Sequence, residues 1–183
     1  TSEVVPQDCS IKPSSDNLVW TFTGQGSMGI NVGREYFDTD IVYRGSLSKC
    51  DTIIERLIGI KATDLIYPDI SNVFSTQEAM DMFTQTSYSQ PMLVVLEYCL
   101  SESWKALGVW PRFVLGHSLG AYAAAIVAEI LTLEDALRLV CARGSLMQSS
   151  EKCKGCMVSL RASESDLINA INSSGTSREV GLA

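Results

Sequence analysis

Phe113-Val114-Leu115-Gly116-His117-Ser118-Leu119-Gly120-Ala121 decides how the chain is read: an apolar run ends in Gly-His-Ser-Leu-Gly, and an alanine-rich helical pattern follows at once. This is the nucleophile-elbow pattern G-x-S-x-G in its required context of strand, tight turn and helix. Glycines on either side let two backbones pass close together. The turn lifts the serine hydroxyl above the sheet at the N-terminus of the next helix, where free N–H groups can meet a developing oxyanion. Ser118 is therefore expected to be a covalent nucleophile for acyl chemistry.

Around this stretch the apolar pattern predicts an α/β fold. A strand over 112–116 leads into a helix over 119–130, whose Ala121, Ala123, Ala124, Ala125 and Ala128 allow close approach to a sheet. Upstream, Pro91 to Leu107 places Met92, Val95, Leu96, Cys99, Leu100 and Leu107 on one face, with Pro91 read as a first-turn proline and Gly108 as the stop. Leu18-Val19-Trp20-Thr21-Phe22 reads as a buried strand followed by the glycine-rich turn Thr23–Ser27. Between them, residues 38–58 have a helical period capped by Asp38 or Thr39, 62–75 form short pieces broken at Pro68, and Thr76–Phe83 is a short helix.

Downstream, Thr132-Leu133-Glu134-Asp135 is a helix start. Leu133, Ala136, Leu137, Val140, Cys141, Gly144 and Met147 then share a face. At roughly 100° per residue, Arg138 points away from that face to solvent, whereas Arg143 lies on its edge. Gly144 beside it lets a neighbouring backbone come close. Cys156–Leu160 alternates like a strand, a helix runs from Ser163 through Ile171, a turn covers Ser173–Thr176, and Glu179–Ala183 opens another strand. Three segments result: a tail or linker over 1–17, a large unit over 18–152, and the start of a smaller one over 153–183.

The chain has 183 residues, 46% hydrophobic and 19% charged, with a net charge of −7. That is a globular composition, and without a clustered Lys/Arg stripe it speaks against nucleic acid and anionic membranes as partners. No apolar run reaches membrane-span length and no signal segment opens the chain. Cys99 and Cys141 fall on apolar helix faces as core residues. Cys153-Lys-Gly-Cys156 lacks the second ligand pair of a structural zinc site, so no metal is expected and the compartment is read as reducing.

A serine nucleophile needs a general base, usually histidine. The single histidine is His117. Adjacent residues at a strand end point to opposite sides, so His117 is expected to support the turn rather than serve Ser118. Either Ser118 is inert or the base lies beyond Ala183; the apolar run at the chain's end favours the second.

Phe22-Thr23-Gly24-Gln25-Gly26-Ser27, Gln90-Pro91, Gly116-His117-Ser118-Leu119-Gly120 and Ala142-Arg143-Gly144 with Met147-Gln148 occur in the order and approximate spacing of one family. In these motifs the chain resembles the malonyl/acyl-CoA:acyl-carrier-protein transacylases, above all the acyltransferase domain of type I, iterative, fungal-style polyketide synthases, over about 18–183. The resemblance implies an α/β-hydrolase-like parallel sheet with an inserted ferredoxin-like small subdomain, truncated here. It implies that Ser118 accepts the acyl group, that the N–H groups of Gln25 and Leu119 form the oxyanion hole, and that Arg143 binds the free carboxylate of a malonyl group. Gln90 and His117 are supporting candidates, although a cap before Pro91 accounts for Gln90 nearly as well. The chain departs from the family's frequent residues at Met28 and Ala121, neither of which is the nucleophile.

The expected reaction loads malonyl units from malonyl-CoA, through an ester on Ser118, onto the phosphopantetheine thiol of an acyl carrier protein. No cofactor is bound by the domain itself; CoA enters with the substrate and phosphopantetheine with the carrier. The partners would be that carrier and neighbouring synthase domains, in the cytoplasm. The rival readings are a serine esterase or thioesterase, and a scaffold that is catalytically incomplete because the base is missing.

Overall fold

Helix α6 (Thr86–Ala106) is the axis of the larger, N-terminal unit. A continuous run from Ser89 to Cys99 is buried, as expected of a helix that is apolar nearly all round. The computed structural model describes residues 17–149, 158 and 160–174. The chain divides into two compact units, Thr1–Glu151 and Lys152–Ala183.

In the first unit the order is β1 (Val19–Phe22), α1 (Arg34–Thr39), α2 (Ile41–Ile58), α3 (Ala62–Ile66), α4 (Pro68–Ser71), α5 (Thr76–Phe83), α6, β2 (Phe113–Gly116), α7 (Gly120–Val127) and α8 (Leu133–Ser149). The two strands pair in parallel, with Val19 opposite Phe113 and Phe22 opposite Gly116. Parallel neighbours need a long crossover, and the helices α1 to α6 supply it. Tyr43, Leu47, Cys50 and Ile54 of α2, Leu65 and Ile66 of α3, and Leu137, Val140 and Cys141 of α8 close around α6. A smaller cluster joins Phe22, Trp20 and Val114 of the strands to Ala123, Ala124 and Val127 of α7. The small alanines let α7 lie close to the sheet, as the sequence predicted. Cys50, Cys99 and Cys141 are buried free thiols.

Several boundaries differ from expectation. The stretch 38–58 is two helices, because Asp40 is extended and caps α2 by accepting from the N–H groups of Val42 (2.7 Å) and Tyr43 (3.3 Å). Neither Asp38 nor Thr39 is the cap. Helix α7 stops at Val127 rather than 130, and Glu129 follows with φ +58°. Pro91 lies inside α6 rather than in its first turn, since the helix begins at Thr86. The early start is held from outside: Gln148 Oε1 accepts from the Thr86 N–H at 2.9 Å and from its hydroxyl at 3.1 Å. That anchorage offsets the one backbone bond the proline removes.

In the second unit α9 spans Glu164–Ser174, so Ser173 and Ser174 are helical rather than a turn. Of the expected strand Cys156–Leu160, Val158 and Leu160 are in neither helix nor strand. The remainder of that strand, the pair Cys153 and Cys156, the strand Glu179–Ala183 and residues 1–16 lie outside the described residues.

Candidate active site

Ser118 stands between β2 and α7 with φ +51°. A non-glycine residue in the left-handed region stores of order 1–3 kcal/mol of strain and persists only where the surroundings over-determine it. Here two glycines do so. A Cβ on Gly120 would come within 2.5 Å of the Phe22 and Thr23 carbonyl oxygens, and one on Gly116 would collide with the Ala121 backbone. The His117 N–H donates to the Phe22 carbonyl at 3.0 Å, which ties the turn to the end of β1. Ser118 is exposed, and its hydroxyl makes no hydrogen bond to the described residues.

The loop Thr23–Ser27 runs beside this turn. Gly24 lies against His117: a Cβ there would be 2.8 Å from Nδ1 and 3.3 Å from the carbonyl oxygen. His117 and Ser118 share no hydrogen bond, so the structure brings His117 to the loop and not to its neighbour's hydroxyl. The amide N–H groups of Gln25 and Leu119 donate to no backbone carbonyl among the described residues.

Helix α6 supplies the floor. Gln90 is fully buried, and three of its four side-chain hydrogen-bonding positions are filled. Its Nε2 donates to Gln25 Oε1 at 3.2 Å and to Met147 Sδ at 3.3 Å, while its Oε1 accepts from Arg143 Nη1 at 2.7 Å. Gln25 Nε2 in turn donates to Ser89 Oγ at 3.3 Å. Gln90 is therefore not a cap before Pro91; it is the junction between the Gln25 loop and Arg143. Arg143 is half-buried, and its Nε and Nη2 groups donate to no described residue. A planar guanidinium held by one nitrogen and open at the others is suited to a carboxylate.

Gly144 confirms the close approach read from the sequence. A Cβ there would lie 2.6 Å from the Thr86 carbonyl oxygen, and Thr86 Oγ1 donates to the Gly144 carbonyl at 3.2 Å. The sequence run Arg143-Gly144…Gln148 thus serves one helix contact: Gly144 and Gln148 grip the start of α6 while Arg143 reaches Gln90 one turn further along. Arg138 lies on the surface, paired with Glu134 at 3.0 Å.

Sequence reasoning missed Ser89 and Glu97. Glu97 Oε1 accepts from the Thr23 N–H at 2.7 Å and its hydroxyl at 3.0 Å. Burial pushes the Glu97 carboxyl above the usual carboxylate range, and the two Thr23 bonds pull against that shift. The available signal was spacing: Glu97 follows Gln90 by two helical turns and so shares its face. Among the described residues no cluster of His, Cys, Asp and Glu could hold a metal ion, and no helix is long and apolar enough to cross a membrane.

Comparison with known proteins shows the family. The family model described as the acyl transferase domain matches residues 19–173. The PKS-NRPS hybrid synthetase ATPKS of Aspergillus niger is 32% identical over 181 residues, 96% of this chain and 9% of that protein. The non-reducing polyketide synthase PKS16 of Cladonia grayi is 36% identical over 150 residues, 82% of this chain and 7% of that protein. The solved acyl transferase domain of ZmaA is 34% identical with a TM-score of 0.76, over 87% of this chain and 35% of that one. The chain belongs to the acyl transferase domain family. Within that family its likeness is to the acyltransferase domains of type I polyketide synthases. It spans less than a tenth of the length of the two synthases.

Proposed function

We propose that the chain loads malonyl units from malonyl-CoA onto the phosphopantetheine thiol of an acyl carrier protein, by way of an ester on Ser118. Ser118 Oγ attacks the thioester carbonyl, a base takes its proton, the C–S bond breaks and CoA leaves as the thiol. The carrier's thiol then attacks the ester carbonyl, and Ser118 recovers its proton as the C–O bond breaks. The strand–turn–helix with Ser118 at positive φ is what a nucleophile elbow of an α/β-hydrolase-like sheet requires. The N–H groups of Gln25 and Leu119, which donate to no backbone carbonyl among the described residues, are suited to both tetrahedral oxyanions.

The observation that carries the malonyl reading is Arg143. Gln90 holds it on the same network as the Gln25 loop, with two nitrogens left for a carboxylate. The base is a histidine in the remainder of the acyltransferase domain; His117 supports the turn through Gly24. The ZmaA domain, of which this chain covers 35%, leaves room for such a remainder. On the same reading α9 is the helix of a ferredoxin-like small subdomain over 153–183, the carrier protein and neighbouring synthase domains are the partners, and the reaction is cytoplasmic and draws on no bound cofactor.

Arg143→Ala in the complete synthase tests the assignment. The ratio of malonyl to acetyl loading on Ser118, read by mass spectrometry of the acylated peptide, is expected to fall by about ten-fold or more. An unchanged ratio removes the carboxylate role.

A further inference from the structure

We propose that Glu97 is a positioning residue for the acyl transfer: its carboxylate fixes the root of the loop Thr23–Ser27, so that the Gln25 N–H stays aimed at the acyl group on Ser118. The inference rests on the function proposed above.

Thr23 is the first residue past β1, and its two sides are held differently. Its carbonyl oxygen lies against Gly120, under the Ser118 turn. Its N–H and hydroxyl point the other way, to Glu97 Oε1 at 2.7 and 3.0 Å. Packing does little on that side. A cavity of about 400 Å³ opens between β1 and α6, bordered by Val19, Trp20, Thr23, Leu93, Glu97 and Trp104. Beyond the root the loop closes on itself: with the Thr23 hydroxyl proton given to Glu97, Ser27 Oγ donates to Thr23 Oγ1 at 2.8 Å, and the Gly24 carbonyl oxygen lies 3.2 Å from the same Ser27 oxygen. Glu97 is thus the anchor from which a chain of hydrogen bonds runs round the loop.

One helix face holds the loop at two points. Gln90 grips the Gln25 side chain, and Glu97, two turns further along α6, grips Thr23. At 1.5 Å per residue these grips are about 10 Å apart along the helix axis, enough to fix the loop's direction as well as its position.

The choice of residue is costly for stability alone. Glu97 is only 8% exposed, and its Oε2 has no hydrogen-bond partner among the described residues. A buried carboxyl oxygen left unsatisfied costs free energy that an apolar side chain in the same place would not. What Glu97 supplies in return is an acceptor at Oε1 for two donors of Thr23. A glutamine keeps that acceptor, an aspartate withdraws it by one methylene, and a leucine deletes it.

The test uses the complete synthase carrying Glu97→Leu, Glu97→Asp, Glu97→Gln or Ser118→Ala, with rapid-quench measurement of acyl-serine formation across a range of malonyl-CoA concentrations. Glu97→Leu is expected to lower the acylation rate constant by about ten-fold or more with half-saturation unchanged, because an oxyanion donor acts on the transition state. Glu97→Asp falls between, and Glu97→Gln stays within about three-fold of the native rate, since the acceptor is retained. A folded Glu97→Leu protein that acylates at the native rate, or that changes only half-saturation, overturns the proposal. So does a glutamine variant as slow as the leucine one. If Glu97→Leu fails to fold, the pair Asp and Gln decides: slow Asp with near-native Gln supports positioning, and any other pattern overturns it. Acylation that survives Ser118→Ala would instead refute the function itself.

Discussion

Two turns meet at the candidate site and are held by opposite means. The Ser118 turn is fixed by backbone against backbone: Gly116 and Gly120 leave no room for a Cβ, and the strain of φ +51° is enforced by those contacts. The Thr23–Ser27 loop touches that turn closely only at its root, Thr23 against Gly120 and Gly24 against His117, and is otherwise fixed by side chains reaching up from α6. Gly26 within it has φ +109° and nothing within 4 Å of where a Cβ would stand. Steric enforcement is rigid but intolerant of substitution. Hydrogen-bonded enforcement is adjustable and depends on buried polar groups being satisfied.

The largest expected effect breaks the steric turn. Gly120→Ala drives a Cβ to 2.5 Å from two carbonyl oxygens of the β1 end, so β1 and α7 must separate. We expect a loss of about 1–3 kcal/mol in chemical denaturation together with loss of Ser118 acylation. Gly26→Ala, in open space, carries only the backbone penalty of positive φ, about 1 kcal/mol, with acylation slowed far less. Equal losses for the two variants would erase the distinction between the turns.

Next comes the junction of the polar network. Gln90→Leu removes the hydrogen bonds to Gln25 Oε1 and Arg143 Nη1, at a cost of about 0.5–1.5 kcal/mol each. Because Gln90 serves both, malonyl selectivity and acylation rate should fall together. A variant that loses only one would show that the loop and Arg143 are positioned independently.

The smallest effect is a pH dependence of stability. The folded Glu97 carboxyl keeps its proton to higher pH than the unfolded chain does, so between the two values the folded state binds more protons. Its contribution to stability is therefore full below the unfolded value and is lost as pH rises through the folded one. Glu97→Gln cannot titrate, so its urea midpoint should gain on the native protein as pH rises from the acid side to neutrality. A midpoint difference that is flat with pH would show that burial does not penalise the Glu97 charge.

Periodicity and turn chemistry made most of the fold legible. The two strand segments, the alanine face of α7, the Thr132 start of α8 and the buried face of α6 are local patterns that tertiary structure reinforces; the parallel sheet was implied only by the family resemblance. Where reading failed, a side-chain hydrogen bond had intervened, local at Asp40 and distant at Gln148. Asp40 splits one helical period into two helices through its own carboxylate. Pro91 sits inside α6 because Gln148, far along the chain, anchors Thr86. In the site, Gly-His-Ser-Leu-Gly and the Gln25 loop could be recognised because backbone geometry restricts which residues fit. Glu97 was signalled only by its two-turn spacing from Gln90, which says that the two share a face of α6 and not that the acid there is a buried acceptor.

The sequence by itself determined that a serine would stand at a glycine-walled turn between strand and helix, since only glycine tolerates that approach of two backbones. It also placed Arg143 on a helix edge with a glycine for a neighbour. Tertiary structure alone decided that Gln90 would join Arg143 to the Gln25 loop and that Glu97 would hold its root. Those bonds span 53 to 74 residues of chain, and a hydrogen bond between side chains so far apart leaves no period in the sequence to be read.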